Sequence, residues 1–270
     1  MVAPAPKNEF EGRVSDWMVS PVCTIEEGTR LAEAARRLEA LGVSALPVLD
    51  VSSRLAGVFT RSDLLRAGRF VRQNSDPTRQ LILPDACVVD FMKTRVPVVR
   101  RQLSLAACAR RMHKQGLHRL YVAESGPLEG VVSTREMLSA VARAGIEAPL
   151  SQFAQRAIAT ISHRDPLASA MARLRTNPSL TLVVIDAELP VGVFARADAV
   201  IARDADPTEA VQHWMDPNVV SLAPDLPAHR GALHLHDAKR RHVAVCEGRN
   251  VIGLISALGF TELFAIHAGA

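Results

Sequence analysis

A chain of 270 residues in which 48% are hydrophobic is long enough for about two ordinary domains or for several small repeats. Its formal net charge of +4 favours anionic partners only weakly, and an aromatic content of 4% provides few surfaces on which nucleic acid bases could stack. The longest apolar stretches, such as residues 180–185, are far shorter than the roughly 18 residues of a membrane-spanning helix. We therefore expect a cytoplasmic protein with no membrane span, and we do not expect nucleic acid to be its main partner.

The start of the chain and its cysteines and histidines suggest neither export nor a metal. Residues 1–13 lack the charged, apolar and small-residue pattern of a signal peptide, so we expect a disordered start. The four cysteines lie far apart and include no Cys-x-x-Cys pair, which argues against a zinc site and against a disulfide framework. Four histidines lie between residues 229 and 242, but only His229 and His236 share a helical face. We expect no metal site.

The first predicted elements are a helix, two strands and a second helix. Apolar residues at helical spacing after Thr29 indicate an amphipathic helix over residues 31–41. Strands are predicted at residues 43–49 and 55–59, and the second helix is predicted to start near Asp63. This order is typical of a compact α/β element.

The same order of elements returns three times. Ser104 caps the predicted helix of a second unit, and a strand follows at residues 120–123. Pro166 indicates the helix start in a third unit. In the fourth unit prolines crowd the entrance to the helix, which is predicted to begin near Asp225 or Pro227.

Two landmarks repeat along the chain at nearly the same interval. A glycine within a short apolar strand returns after 73, 62 and 61 residues, at Gly57, Gly130, Gly192 and Gly253. An aromatic residue followed by Met or Ala returns after 74, 62 and 61 residues, at Trp17, Phe91, Phe153 and Trp214. Such a period is typical of a repeated small domain, and because one unit alone could hardly bury its apolar faces, we expect the units to pair. The extra residues of the first interval lie in the polar stretch 69–80, which indicates a surface insertion or linker.

Each unit resembles a CBS (cystathionine beta-synthase type) domain, and adjacent pairs resemble Bateman modules. The resemblance covers residues 14–262 and is strongest at residues 42–50 and 57–63. It implies an α/β fold of four CBS repeats in two Bateman modules, which can close into a pseudo-fourfold disc within one chain or by pairing two chains as a homo-oligomer, most simply a dimer. We divide the chain into a disordered start at 1–13, units at 14–70, 87–146, 147–208 and 209–263, a linker at 71–86 and a tail at 264–270.

Two Ser/Thr-x-x-Asp/Glu motifs follow predicted strands and allow two interpretations. Thr60 and Asp63 form one of them, and Ser133 and Glu136 form the other. The amide groups at the start of a helix can receive a phosphate. The same spacing is also that of a capping box, which stabilises a helix start without any ligand. The residues alone leave both interpretations open.

The resemblance adds specific roles to these residues. It implies that Thr60 and Ser62 contact phosphate or ribose, that Asp63 binds the ribose hydroxyls, and that the strand at residues 43–47 receives adenine. It also implies that His118 and Arg119 contact phosphates, for which an arginine is well suited. Ordinary strand packing and a solvated strand edge are the alternatives. The expected nucleotide-binding residues are Thr29, Ser44, Ala45, Leu46, Pro47, Thr60, Arg61, Ser62, Asp63, His118, Arg119, Leu120, Ser133, Arg135 and Glu136.

The second module departs from this pattern. Ala195 has no hydroxyl although the acid of its motif is present, and Gly259 has no acid although the hydroxyl is present. The basic run at residues 239–242 could attract phosphate, contact nucleic acid or form a solvated helix end. The weaker candidates of the second module are Asp198, Arg241 and Ser256.

These observations predict a regulatory protein that senses a ligand. We expect it to bind an adenosine nucleotide (AMP, ADP or ATP) between paired units, with no further cofactor, and to relay binding to a separate effector protein. We find no nucleophile with a spaced base and no Gly-rich phosphate loop, so we do not expect an enzyme. A ligand-free oligomerisation scaffold and nonspecific nucleic acid binding are the alternatives.

Overall fold

The structure, a computed structural model, describes residues 12–73, 76–124, 127–156, 158–177 and 180–268. The expected disordered start falls almost wholly on residues 1–11, which lie outside the described residues, as do the last two residues of the expected tail. Within the described ranges, no helix is long and apolar enough to cross a membrane.

The first two units have the same succession of elements. The first unit consists of α1 (Val14–Trp17), β1 (Ile25–Glu26), α2 (Leu31–Ala40), β2 (Ala45–Leu49), β3 (Leu55–Thr60) and α3 (Arg61–Ala67). A hairpin of β4 (Arg69–Gln73) and β5 (Asp76–Ile82) follows. The second unit consists of a 3-10 turn (Val88–Asp90), β6 (Val98–Val99), α4 (Leu105–Gln115), β7 (Arg119–Val122), β8 (Gly130–Ser133) and α5 (Thr134–Arg143).

The last two units repeat it again. The third unit consists of a 3-10 turn (Leu150–Gln152), β9 (Ala159–Ser162), α6 (Leu167–Thr176), β10 (Leu182–Asp186), β11 (Leu189–Phe194) and α7 (Arg196–Ile201). The fourth consists of a 3-10 turn (Val211–His213), β12 (Val219–Leu222), α8 (Ala228–Asp237), β13 (His242–Glu247), β14 (Asn250–Ser256) and α9 (Ala257–His267). Proline precedes the first helix in both units, as Pro166 and Pro227, in agreement with the predicted helix starts.

Each unit has a three-stranded sheet in which the second strand lies in the middle. The first two strands are parallel and joined by a helix, whereas the second and third strands form an antiparallel hairpin. The predicted α/β fold class is therefore confirmed.

The stretch expected as a linker, residues 71–86, is not simply a linker. Its first part belongs to the hairpin of β4 and β5, in which Arg69 pairs with Ile82 and Phe70 with Leu81. A linker was predicted because most residues of this stretch are polar. The β-forming residues Phe70, Val71, Leu81 and Ile82 lie near its two ends and favour strands instead. Leu81 of the hairpin packs against the core of the first unit.

The units pair by exchanging the segments that carry the aromatic landmark. Val19 pairs with Val131 of the second unit, and Val58 pairs with Lys93, which precedes the strands of the second unit. Phe91 accordingly packs in the core of the first unit. The third and fourth units exchange their segments in the same manner. The start of each predicted unit therefore contributes to the core of its partner unit. Unit boundaries drawn along the chain do not show this exchange.

The repeated glycines lie where the exchanged segments cross. A Cβ added to Gly57 would be 2.5 Å from the Met92 sulfur, and one added to Gly130 would be 2.7 Å from the Met18 sulfur. At Gly253 the corresponding atom is the Cβ of Ala154, also at 2.5 Å. The repeated glycine and the segment that carries the repeated aromatic residue thus form the two sides of one contact.

The two modules pack together within one chain. One apolar core includes Met137 and Val141 of the second unit together with Leu235 and Phe260 of the fourth. We call the contact of α4 and α5 with α8 and α9 the wide interface. On the other side α3 of the first unit contacts α7 of the third, and we call this contact the narrow interface. The four units therefore form a ring in the order first, second, fourth, third.

The glycine contact predicts a large effect of one methyl group. In Gly192→Ala the new Cβ would be 2.7 Å from the Asp216 carbonyl oxygen, a backbone atom that cannot rotate away. We expect the free energy of unfolding to fall by about 1–3 kcal/mol, measured by urea denaturation. Gly28→Ala is the control, because nothing lies within 4 Å of its added Cβ. Equal losses in both variants would contradict the contact.

Candidate functional site

The Thr60 motif forms a complete capping box at the start of α3. The Thr60 amide and hydroxyl donate to Asp63 Oδ2 at 2.9 and 2.6 Å, and the Asp63 amide donates back to Thr60 Oγ1 at 3.2 Å. Asp63 is fully buried, and its Oδ1 accepts a hydrogen bond from Arg66, whose side chain is 55% exposed. The Thr60 motif thus stabilises the start of α3, and both oxygens of its carboxylate already accept hydrogen bonds.

The other three units keep this box completely or in halves. The Ser133 amide and hydroxyl donate to Glu136 Oε2 at 2.7 and 2.6 Å, so the longer side chain still completes the arrangement. In the third unit Asp198 Oδ2 accepts from the Ala195 amide at 2.8 Å. In the fourth, Ser256 Oγ accepts from the Gly259 amide at 3.1 Å. In the second module, the third unit therefore keeps only the carboxylate half of the capping box, and the fourth unit keeps only the hydroxyl half.

The start of the central strand lies beside the start of the helix in three units. The amides of Arg61, Thr134 and Ala257 donate to the carbonyl oxygens of Ser44, His118 and Arg241 at 2.9–3.0 Å. This backbone contact places the predicted residues Ser44, Arg61 and Asp63 together. It places His118 next to the Ser133 motif, with Arg135 on the first turn of α5.

The first and second units join at these strand starts. Arg119 Nη2 donates to Ser44 Oγ at 2.8 Å, a contact across 75 residues of sequence. Ala45 and Val58 of the first unit pack with the buried Tyr121 of the second. A guanidinium, a small side chain and packed apolar residues thus meet where the two units join, and we call this junction the first cleft.

Three predicted site residues do not belong to the first cleft. Leu46 and Leu120 are buried in the helix-covered cores of their own units, because alternate side chains of a strand point to opposite faces. Thr29 does not cap α2, since its hydroxyl accepts from the Glu26 amide at 3.2 Å. Thr29 also follows β1, whose Glu26 pairs with Leu49 at the far end of β2 from Ala45. Strand register and strand face thus place these three residues away from the Arg119–Ser44 contact, and their roles in binding stay predictions.

Charged residues of the second, third and fourth units meet near the wide interface. Burial lowers the pKa of His118, and the nearby Arg241 and Arg119 lower it further. Burial lowers the pKa of His242 to about 4, although the Asp216 carboxylate opposes this. His242 Nδ1 is buried and makes no hydrogen bond to the part of the chain that the structure describes. Both histidines are therefore neutral at pH 7.

Asp198 differs from Asp63 in its surroundings. Burial raises the pKa of Asp198 to about 6, and the Asp216 carboxylate adds to the increase. The Ala195 amide and the Arg241 charge act in the opposite direction. Asp216 and His242 were not among the predicted site residues. Register could have found His242, because it pairs with Ser256 as Arg119 pairs with Ser133.

Comparison with known proteins agrees with this architecture. The CBS-domain family model matches residues 14–69 and 88–143. These two segments are thus CBS domains. CBS domain-containing protein CBSCBSPB3 of Arabidopsis thaliana is 32% identical over 141 residues, which are 52% of this chain and 24% of that protein. CBSCBSPB2 of the same plant is 30% identical over 140 residues, again 24% of its length. The chain spans about a quarter of the length of these curated relatives.

Two solved structures extend the likeness beyond the matched segments. Protein MJ1225 from Methanocaldococcus jannaschii has a TM-score of 0.72 at 12% identity, and the match covers 94% of this chain and 100% of that one. An uncharacterized conserved protein from Pyrococcus horikoshii has a TM-score of 0.63 at 21% identity with the same coverage. At these identities the likeness shows the fold, and it shows it over all four units.

The position of Asp198 predicts a pH dependence of stability. Because its pKa in the folded protein lies above its usual value, the folded state binds this proton more tightly, and stability falls as the pH rises from about 4 to about 6. Asp198→Asn removes the buried charge. We expect it to raise the free energy of unfolding by about 1–2 kcal/mol at pH 8 and to change it little at pH 4.

Urea denaturation at both pH values measures this difference. Asp225→Asn, at an exposed position before α8, is the control and should show no such pH dependence. A uniform loss of stability for Asp198→Asn at both pH values would contradict the burial of its charge.

Proposed function

We propose that this protein is a regulatory sensor that binds an adenosine nucleotide in the first cleft. The observation that supports the proposal is the Arg119–Ser44 hydrogen bond, which places a guanidinium of the second unit beside the Asp63 motif of the first. One cleft thus offers a positive group, a buried carboxylate and apolar walls. These match the three parts of a nucleotide.

The phosphate would contact Arg119 and His118. An arginine can donate two parallel hydrogen bonds to a phosphate, and its charge persists at every physiological pH. The pKa of His118 is lowered in the free protein by burial and by Arg241 and Arg119. An incoming anion favours the protonated ring, so phosphate binding would raise this pKa and take up a proton.

The ribose would bind to Asp63. One oxygen of this carboxylate belongs to the capping box, and the other accepts from Arg66. Arg66 lies at the surface with a side chain that is 55% exposed, so it can leave for water when a ribose hydroxyl takes its place. Arg66 therefore competes with the ribose for one acceptor atom.

The adenine would lie against the small and apolar residues between the two sheets. Ala45 is a small residue at the start of β2 that packs with the buried Tyr121 of the second unit, and Pro47 lies on the same face of β2. The second module offers a weaker version of this site, because Asp198 has lost its hydroxyl partner and Ser256 its acid. Arg241, which lies near Asp198, is its positive group.

Sensing requires that the nucleotide bind one arrangement of the ring better than another. We propose that the change is transmitted to a separate effector protein and that AMP, ADP or ATP is the ligand. The apolar walls and the carboxylate suit the nucleoside shared by the three.

The test is isothermal titration of the full chain with AMP, ADP and ATP. We expect Asp63→Asn to weaken binding about tenfold or more, since a charged acceptor of the ribose is lost. Asp165→Asn is the matched control, because Asp165 Oδ2 likewise accepts a backbone amide, from Ser162 at 3.1 Å, outside the first cleft. Equal affinity in both variants would exclude Asp63 as the ribose ligand, and no binding to the unmodified protein would favour the scaffold.

Competition by Arg66 predicts an effect of opposite sign. Arg66→Ala frees Asp63 Oδ1, so we expect AMP to bind about three- to tenfold more tightly in the same titration. Arg36→Ala removes an exposed arginine of α2 and should leave the affinity unchanged. Weaker binding by Arg66→Ala would mean that Arg66 assists the ligand instead of competing with it.

A further inference from the structure

The two contacts between modules differ greatly in construction. The wide interface uses four helices of 10 or 11 residues and a continuous apolar core. The narrow interface uses α3, with 7 residues, and α7, with 6, and no residue of α7 is fully buried. Movement between the modules is therefore easier at the narrow interface.

One side chain of the third unit makes two hydrogen bonds across the narrow interface. Arg203, two residues after α7, donates from Nη1 to the Leu65 carbonyl oxygen at 2.8 Å and from Nη2 to the Gly68 carbonyl oxygen. Leu65 lies in the last turn of α3, where helix carbonyls lack partners within the helix and carry a partial negative charge, and Gly68 is the residue that ends this helix. The Arg203 side chain is 33% exposed, and its Nε lies 3.3 Å from Asp204 Oδ2.

The other end of α3 belongs to the first cleft. Thr60 caps this helix, and Asp63 lies in its first turn. Seven helical residues extend about 10 Å, and a single hydrogen-bonded helix moves as a rigid unit. A change in the position of Asp63 therefore reaches Arg203 directly through α3.

The narrow interface also contains space for movement. A partly open cavity of about 220 Å³ lies between Phe70 of the hairpin and the third unit, where Ile201 at the end of α7, Asp204, Ala205 and Trp214 line it. A close-packed contact would resist a shift of α7, whereas one beside a cavity allows it.

We infer that Arg203 is a positioning residue that couples the first cleft to the second module through α3. When the start of α3 is held in place, its end presents two carbonyl groups to Arg203 and fixes α7. When the start of α3 loosens, this contact weakens and the narrow interface opens. The inference rests on the proposed function only for the nature of the ligand, since the coupling belongs to the free protein.

Hydrogen exchange of the full chain tests the contact without any ligand. We expect Arg203→Gln to accelerate exchange about fivefold or more in residues 61–68 and 196–202, and to leave α5 unchanged, because the wide interface is intact. Arg196→Gln, at an exposed position of α7, is the matched control. Unchanged exchange in α3 and α7 of Arg203→Gln would overturn the inference.

The coupling itself is tested by removing the cap of α3. Thr60→Ala should accelerate exchange in α7 when Arg203 is present, and this effect should disappear in the Thr60→Ala/Arg203→Gln double variant. Ser133→Ala, the equivalent change in the second unit, should not affect α7. An equal effect of Thr60→Ala on α7 with and without Arg203 would show that the signal does not pass through this residue.

Hydrogen exchange in the presence of AMP distinguishes a failure of the coupling from a failure of the proposed function. Saturating AMP should slow exchange in α3 of both proteins but in α7 of the unmodified protein only. Slowing of α7 to the same extent in Arg203→Gln would overturn the coupling. If AMP slows exchange nowhere, the nucleotide proposal is wrong, while the Thr60→Ala comparison still decides whether Arg203 couples the two modules.

Discussion

The close crossing of an exchanged segment over a glycine of its partner unit is the constraint on which this structure depends. Each third strand must let a neighbouring chain segment approach so closely that a single Cβ would overlap it. This contact makes the two units of a module inseparable, since each completes the core of the other. It also fixes the distance between the two sheets. The cleft between them is a consequence of that distance.

The positions of the candidate site residues follow from this pairing. Because the two sheets face each other, the start of β2 lies opposite the start of β7, and Arg119 reaches Ser44. Within each unit, the contact of the strand start with the helix start brings the capping motif to the same place. The capping box and the candidate ligand site are therefore one structure. A helix start needs an acceptor for its free amides whether or not a ligand is present.

The sequence predicted what depends on local pattern. The glycine and aromatic landmarks, the prolines before α6 and α8 and the Thr60 motif are local signals, and the structure shows their cause. The positions of Thr29 and Leu46 relative to the first cleft could not be predicted, because register and strand face decide which residues lie there and neither is visible in a motif. Asp216 could not be found either, since its effect on Asp198 arises only when the third and fourth units pair.

The asymmetry of the ring follows from its two modules having diverged in different ways. The first module keeps complete capping boxes, and the second keeps only halves, so the half-buried Asp198 has Ala195 where a hydroxyl residue would complete its box. The two contacts between the modules also differ. The wide interface is a broad apolar core, whereas the narrow interface consists of two short helices beside a cavity. A broad core resists any small displacement. A change that begins at Asp63 therefore has a direct route to the second module through α3, whose end contacts the more yielding side of the ring.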